Sequence, residues 1–435
     1  MLSRVRADYL HTAWQTMRED WGSVDAYLER ALGIDAAARR LAGKIAELSG
    51  RESPMGPLQG FKIIEMAAIG PVPLAGMLLA DMGAELIRID RLGEADLGIK
   101  RDPRFDLASR GKRSVALDIK SPAGRDAVLR IVRGADALIE GFRPGVMERL
   151  GLGPEECHAA NPGLVFGRMT GWGQQGPLAR AAAHDMNYIA LTGALEAIGA
   201  AGGPPVAPLN LVGDFGGGSM FLTLGVLAAL LERTRSGRGQ VVDAAIVDGV
   251  SALMAGIHGQ LAGGTWRAQR GEHVLGGAAP WNTVYETSDG RHVSICAIEQ
   301  RFFAELLKWL DIDPASVPDR MDRANWPALR ERFAKIFAGR TRDEWCAVLE
   351  GSDACFAPVL HVTEAPLHPH ALARQAFVSH DGMLQPAPAP RFDRTPGQVQ
   401  GPTVAHAGQH SDAVLRDAGF SVAEVAALRS AGVAG

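Results

Sequence analysis

A histidine and two acids fall close together near the middle of this chain. His184 and Asp185 are adjacent in AAAHDMNYIALTGAL, and Asp214 follows in NLVGDFGGG. Histidine titrates near neutrality, so an imidazole facing a carboxylate across a small gap makes a pair of proton-transfer groups. Gly216, Gly217 and Gly218 come directly after Asp214-Phe215. They are expected to let the backbone approach a ligand closely and to leave N–H groups free at the next helix start. Each residue also has a plainer use. A histidine among apolar residues can simply satisfy a hydrogen bond, and an aspartate before glycines can stabilise a turn.

The elements around these residues read as an α/β sheet. Phe61 to Met66 predicts a strand, Leu74 to Met82 a helix capped by Gly83, and Ala84 to Ile89 a second strand, which together make a βαβ crossover. Further strands are expected over 114–119, 137–140 and 163–167, with Ser121-Pro122 opening a helix that runs to Gly134. No GxGxxG fingerprint is present, so a dinucleotide is not indicated. In such sheets ligands bind beyond the carboxyl ends of the strands. Ile69, Arg91, Lys120 and Arg143 fall at or past those ends, and Arg149 follows Arg143 in the same segment. As bare cations the arginines have surface ion pairing as their other use.

Downstream, the uncharged run Phe215 to Leu231 reads as a buried helix, shorter than the ~20 apolar residues of a membrane span. The stretch 236–249 reads as a linker into a second domain. A hairpin over 281–297 turns at Asp289-Gly290 and delivers Glu299 to its end. Helices follow around 302–310, 326–338 and 342–349, then an extended connector over 386–390, and a last helix opened by the capping box Ser421 and Glu424. The expected domains are thus 1–54, a helical extension; 55–240, a Rossmann-like large domain to which 385–435 returns; and 241–384, a linker and a smaller α+β domain.

Composition narrows the function classes. The chain has 435 residues, 47% apolar and 22% charged, with a formal net charge of −4 and no basic cluster, which argues against nucleic-acid binding. Its four cysteines include no CxxC pair and read as reduced thiols of a cytoplasmic protein. No signal peptide is read at the start, and His368-Pro-His370 lacks a metal-site pattern, so no metal is expected.

Seven stretches in order carry a family resemblance: IGPVPLAGMLLADMGAELIRIDR, IEGFRPGVMERLGLGPEEC, MTGWGQQGPLARAAAHDMNYIALTGAL, NLVGDFGGGSMF, GQVVDAAIVDG, ETSDGRHVSICAIE and DACFAPVL. From about Met55 to the end the chain resembles the family III CoA-transferase (CaiB/BaiF) superfamily, and within it the α-methylacyl-CoA racemase branch. The resemblance implies a homodimer of interlocked chains, with each active site between the large domain of one subunit and the small domain of its partner. It implies that His184 and Asp214 are the two acid/base groups and that Glu299 supports the other subunit's His184. It further implies that Arg91, Arg143 and Arg149, with Ile69 and Lys120 nearby, hold coenzyme A, which is part of the substrate and not a separate cofactor. No nucleic-acid or membrane partner is implied. Residues 1–54 lie outside the resemblance. They are similar to the tail of bacterial tyrosine-phosphatase-like proteins, and read either as an appended helical pair or as an upstream extension of a chain beginning at Met55.

Two other functions compete. In the superfamily's CoA-transferases one aspartate attacks the acyl-CoA, and that residue corresponds to Asp185. His184, where transferases usually carry tyrosine or another residue, favours the racemase. An inactive acyl-CoA-binding scaffold would need a broken site, whereas His184, Asp214 and Glu299 are all present. Met186 and Met220 read as core, with an apolar wall for the acyl chain as their other use.

Overall fold

A computed structural model describes residues 56–93, 102–266 and 269–435. The helical extension expected over 1–54 lies outside the described residues.

Six parallel strands form the central sheet: β1 Lys62–Met66, β2 Glu85–Asp90, β3 Lys112–Ala116, β4 Ala137–Glu140, β5 Val165–Thr170 and β6 Val241–Ala245. Their spatial order is β3-β2-β1-β4-β5-β6. This is the doubly wound order, and its reversal point falls between β1 and β4. Successive strand residues point to opposite faces, so Ile63 joins one core with Val72, Leu79, Leu222 and Val226. Its neighbour Ile64 joins the other, with Val115, Val128, Phe166, Val414 and Leu415.

The first crossover helix begins three residues before the expected Leu74, and the second begins as the sequence suggests. In α1 (Pro71–Asp81) proline occupies the first turn, and in α2 (Pro122–Val132) Ser121 accepts the Gly124 N–H at 3.0 Å. The short α3 (Val146–Arg149) and α4 (Pro154–Ala160) lead into β5. Beyond β5 come α5 (Asp185–Leu191), a π-helical segment over Leu211–Ser219, and α6 (Met220–Ser236), which continues that segment.

Two expectations change here. The stretch expected as a linker supplies β6, paired with β5 from Phe166 opposite Val241 to Thr170 opposite Ala245, and then α7 (Ile246–Leu253). Its glycines and arginine masked a five-residue strand of mixed polarity. The helix expected to be buried has one buried side only. Leu222, Val226, Ala229 and Leu230 pack on the sheet while Met220, Leu224 and Leu231 stand more than half exposed. With its π segment it runs 26 residues, long and apolar enough by length and composition to cross a membrane.

A three-stranded antiparallel sheet follows: β7 Asn282–Glu286, β8 His292–Cys296 and β9 Phe356–Val359. The hairpin turns at Gly290, φ +70°. It encloses its own core with α8 (Gln300–Trp309), α9 (Trp326–Phe337) and α10 (Arg342–Leu349), centred on Trp281, Tyr285, Phe333 and Phe337. Between β10 (Phe377–His380) and β11 (Met383–Pro386) the chain doubles back. Arg110 then ties Gln385 and the Pro386 carbonyl to buried Asp81. Finally α11 (Ser411–Asp417) and α12 (Val422–Ser430) cover one face of the large sheet, the second through the expected Ser421–Glu424 capping box.

Candidate active site

His184 is the N-cap residue of α5, exposed and in extended backbone (φ −135°, ψ 176°). Its N–H donates to the Asn187 side chain at 3.1 Å. The helix start is locked from behind. Tyr188 donates its hydroxyl to the Ala183 carbonyl at 2.6 Å and meets Trp172 edge to face at 4.8 Å. Its ring lies where a side chain at Gly171 would sit. That glycine, at the end of β5, is what allows the close approach.

Asp214 comes from the π segment, a local winding that recurs at functional sites. Ser219 Oγ donates to the Pro71 carbonyl at 2.7 Å and to the Asp214 carbonyl at 3.2 Å, joining the segment to the start of α1. The glycine run serves packing. A Cβ at Gly218 would lie 2.9 Å from Pro71 Cβ, and one at Gly249 of α7 would overlap the Gly217 carbonyl oxygen. Gly216 to Gly218 sit inside the π winding, whose N–H groups bond to carbonyls five residues back. They do not supply the free N–H groups expected of them.

The unpaired N–H groups of this segment are earlier, and Asp185 takes them. Its Oδ1 accepts the Asp214 N–H at 2.6 Å, and its carboxylate also accepts the Gly213 N–H. The Asp214 carboxylate in turn lies against Gly70, the N-cap of α1 at φ +70°, where a Cβ would stand 3.1 Å from Asp214 Oδ2. Ile69, next to it, is 47% exposed. Burial pushes the Asp214 carboxyl up to about 6. The Asp185 charge adds to the rise, while a hydrogen bond from Asn210 and the nearby His184 oppose it. Burial likewise raises Asp185 and the Tyr188 phenol. His184, Asp185, Asp214 and Ile69 therefore share one site. Gly70, Tyr188 and Asn210 belong to it too. Sequence reasoning missed them, although the Gly-Pro step at 70–71 signalled a constrained loop.

Four cations stand at the rim. Arg91 follows β2, Lys120 follows β3, and Arg143 and Arg149 follow β4; all four are exposed, and none makes an ion pair with the described residues. The positive charge of Arg143 is felt at the Tyr188 phenol, which links its loop to α5. That loop is braced from β5. Arg168 bonds Glu140 at 3.1 Å and Glu148 at 2.7 Å, and Glu140 accepts the Phe142 N–H at 2.6 Å. Burial pushes Glu140 up to about 7 despite its arginine.

Glu299 lies apart. It is the exposed N-cap residue of α8, which packs on the smaller sheet, and its charge is felt at Cys355. Within the chain it makes no hydrogen bond or ion pair with His184 or Asp214. Met186 and Met220, read as core, are 52% and 54% exposed. Among the described residues no group of three or more metal-ligating side chains comes together.

This fold is that of a known family. The family model for CoA-transferase family III matches residues 58–411, and the chain belongs to that family. Over 374 residues it is 43% identical to an α-methylacyl-CoA racemase from Mus musculus, covering 86% of this chain and 96% of that protein. The Homo sapiens α-methylacyl-CoA racemase is 40% identical over 376 residues, with the same coverage. A CaiB/BaiF family protein from Brucella suis superposes with a TM-score of 0.73 at 25% identity, over 84% of this chain and all of that one. A tyrosine phosphatase family model matches residues 1–45.

Proposed function

We propose that the protein is an isomerase that interconverts (R)- and (S)-2-methylacyl-CoA thioesters by 1,1-proton transfer. The observation that carries this reading is that α5 and the π segment bring His184 and Asp214 into one site, with the aspartate carboxyl near 6. The α-hydrogen of an acyl thioester is weakly acidic because the carbonyl takes up the carbanion charge as an enolate. Inversion needs one base to remove that proton and a conjugate acid to return one to the other face. A histidine and a carboxyl on the two faces of the substrate exchange these roles as the reaction runs in either direction.

The enolate oxygen needs donors. The N–H groups of Asp185 and Met186 open α5 beside His184 and have no backbone partner among the described residues, as the first turn of a helix dictates. They take the oxyanion. Arg91, Lys120, Arg143 and Arg149 hold the coenzyme A phosphates and nucleotide, for which forked guanidinium groups suit bidentate contact, and Ile69 lines the approach. Coenzyme A arrives as part of the substrate, so no separate cofactor is needed. The active unit is an interlocked homodimer in the cytoplasm, and Glu299 of the partner subunit supports His184. The exposed apolar side of α6 favours that assembly.

The test is α-proton exchange in deuterated water with pure (R)- or (S)-2-methylacyl-CoA. Deuterium uptake with loss of stereochemistry is expected, and His184→Ala or Asp214→Ala lowers it by about 10²–10⁴-fold. A protein that exchanges no proton, but makes a new thioester from an acyl-CoA and a free acid through Asp185, is a transferase instead.

A further inference from the structure

Asp185 follows the histidine directly and is the family's nucleophile position, yet its carboxylate is turned to other work. It accepts the Asp214 N–H at 2.6 Å together with the Gly213 N–H. The first turn of any helical segment leaves such donors without partners, and here a side chain of a different helix satisfies them. Gly213 makes room for it, since a Cβ at that position would overlap Asp185 Oδ1. Both ends of this link carry the proposed chemistry. His184 is bonded to Asp185 through the backbone, and Asp214 is the residue whose N–H is held.

We infer that Asp185 is a positioning residue for proton transfer: its carboxylate fixes the first turn of the π segment and so holds the Asp214 carboxylate at Gly70, within reach of His184. The inference rests on the racemase reading. A carboxylate held by two N–H groups is poorly disposed to attack a thioester, so this same link separates the racemase from the transferase use of the position. Asp185 also acts through its charge, which opposes ionisation of Asp214. Other groups around Asp214 are accounted for. From α5 it faces His184 and Tyr188, and Arg143 acts on Tyr188. The charge of Asp248 of α7 is felt at Asp243 of β6, which accepts the Gln174 N–H. Asp81 of α1 pairs with Arg110, and α6 carries its charges, Glu232 to Arg235, at its far end.

Asp185→Asn keeps an acceptor oxygen and removes the charge; Asp185→Ala removes both. Deuterium exchange is measured for each pure enantiomer between about pH 5 and pH 9, with thermal unfolding as the check on folding. Asp185→Asn is expected to exchange both enantiomers within about tenfold of wild type, with the acid limb of its pH profile moved to lower pH. Asp185→Ala is expected to lose about 100-fold with the enantiomer whose proton Asp214 removes, and far less with the one served by His184, at unchanged KM. Equal losses with both enantiomers, or an unmoved acid limb in Asp185→Asn, overturn the inference. Absence of exchange in the wild type overturns the racemase reading itself, a separate outcome.

Discussion

Asp214 illustrates a conflict between chemistry and stability at a single residue. Its carboxyl is held near 6 by burial and by the Asp185 charge, well above the ordinary value of 3.8. A carboxyl raised in the folded state binds its proton more tightly there than in the unfolded chain. It therefore costs no stability at acid pH, and the cost grows as pH rises from about 4 through 6. Asp214→Asn is expected to unfold ~2 °C or more above wild type at pH 8, with the difference vanishing near pH 4. Thermal scans at the two pH values check this, and a pH-independent difference would refute the linkage. His184 and Asp214, proposed as the acid/base pair, were singled out in the sequence by the family resemblance of HDMNY and GDFGGG, since each taken alone has a plainer use. Their connection was not. Nothing in the letters says that the Asp185 carboxylate will bond a main-chain N–H 29 positions away, because that depends on how two helices are set side by side.

At the scale of elements, helix contacts set those positions. The π segment presses on α1 through Gly218 and on α7 through Gly217 and Gly249. Gly249→Ala drives a methyl group into a backbone oxygen that has no rotamer to give. We expect it to cost about 1–3 kcal/mol and to lower exchange with little change in KM, because it shifts the segment bearing Asp214. Unfolding and kinetics on that variant decide the point. The sequence marked the glycines but suggested ligand approach; close helix packing makes the same demand for a missing side chain, and only the neighbours distinguish the two. The βαβ units, the Ser121 N-cap and the terminal capping box were readable because proline, serine and hydrophobic period act locally. β6 was not, since its five residues combine exposed valine with aspartate and acquire strand identity only from pairing with β5.

The whole molecule presents two unfinished surfaces. One is the bare side of α6, with Leu224 at 62% and Leu231 at 68% exposure. The other is Glu299, aligned with no proton-transfer group of its own chain. In the proposed homodimer a second copy completes both. Leu224→Glu combined with Leu231→Glu is expected to shift the protein from dimer to monomer in light scattering and to lower exchange in parallel. A variant that stays dimeric, or a fully active monomer, contradicts the assembly. The doubly wound sheet order explains why the cations and the acid/base groups share one rim. Every segment leaving a strand at its carboxyl end is delivered to the same edge, on either side of the reversal between β1 and β4.

The π winding that carries Asp214 has one further consequence, concerning length. An α-helix advances by ~100° per residue, so removing a single residue from 215–218, between Asp214 and the next helix, would either rewind the segment or rotate Asp214 about a quarter-turn from Gly70. Leu222 and Val226, further along and clamped on the sheet, would hold their phase. The helix thus works as a ratchet with one tooth too many, and the spare tooth is what aims the carboxylate. Substitutions in this stretch can be graded by size and charge, but a change of frame cannot. In this part of the chain the number of residues itself sets where the Asp214 carboxylate stands.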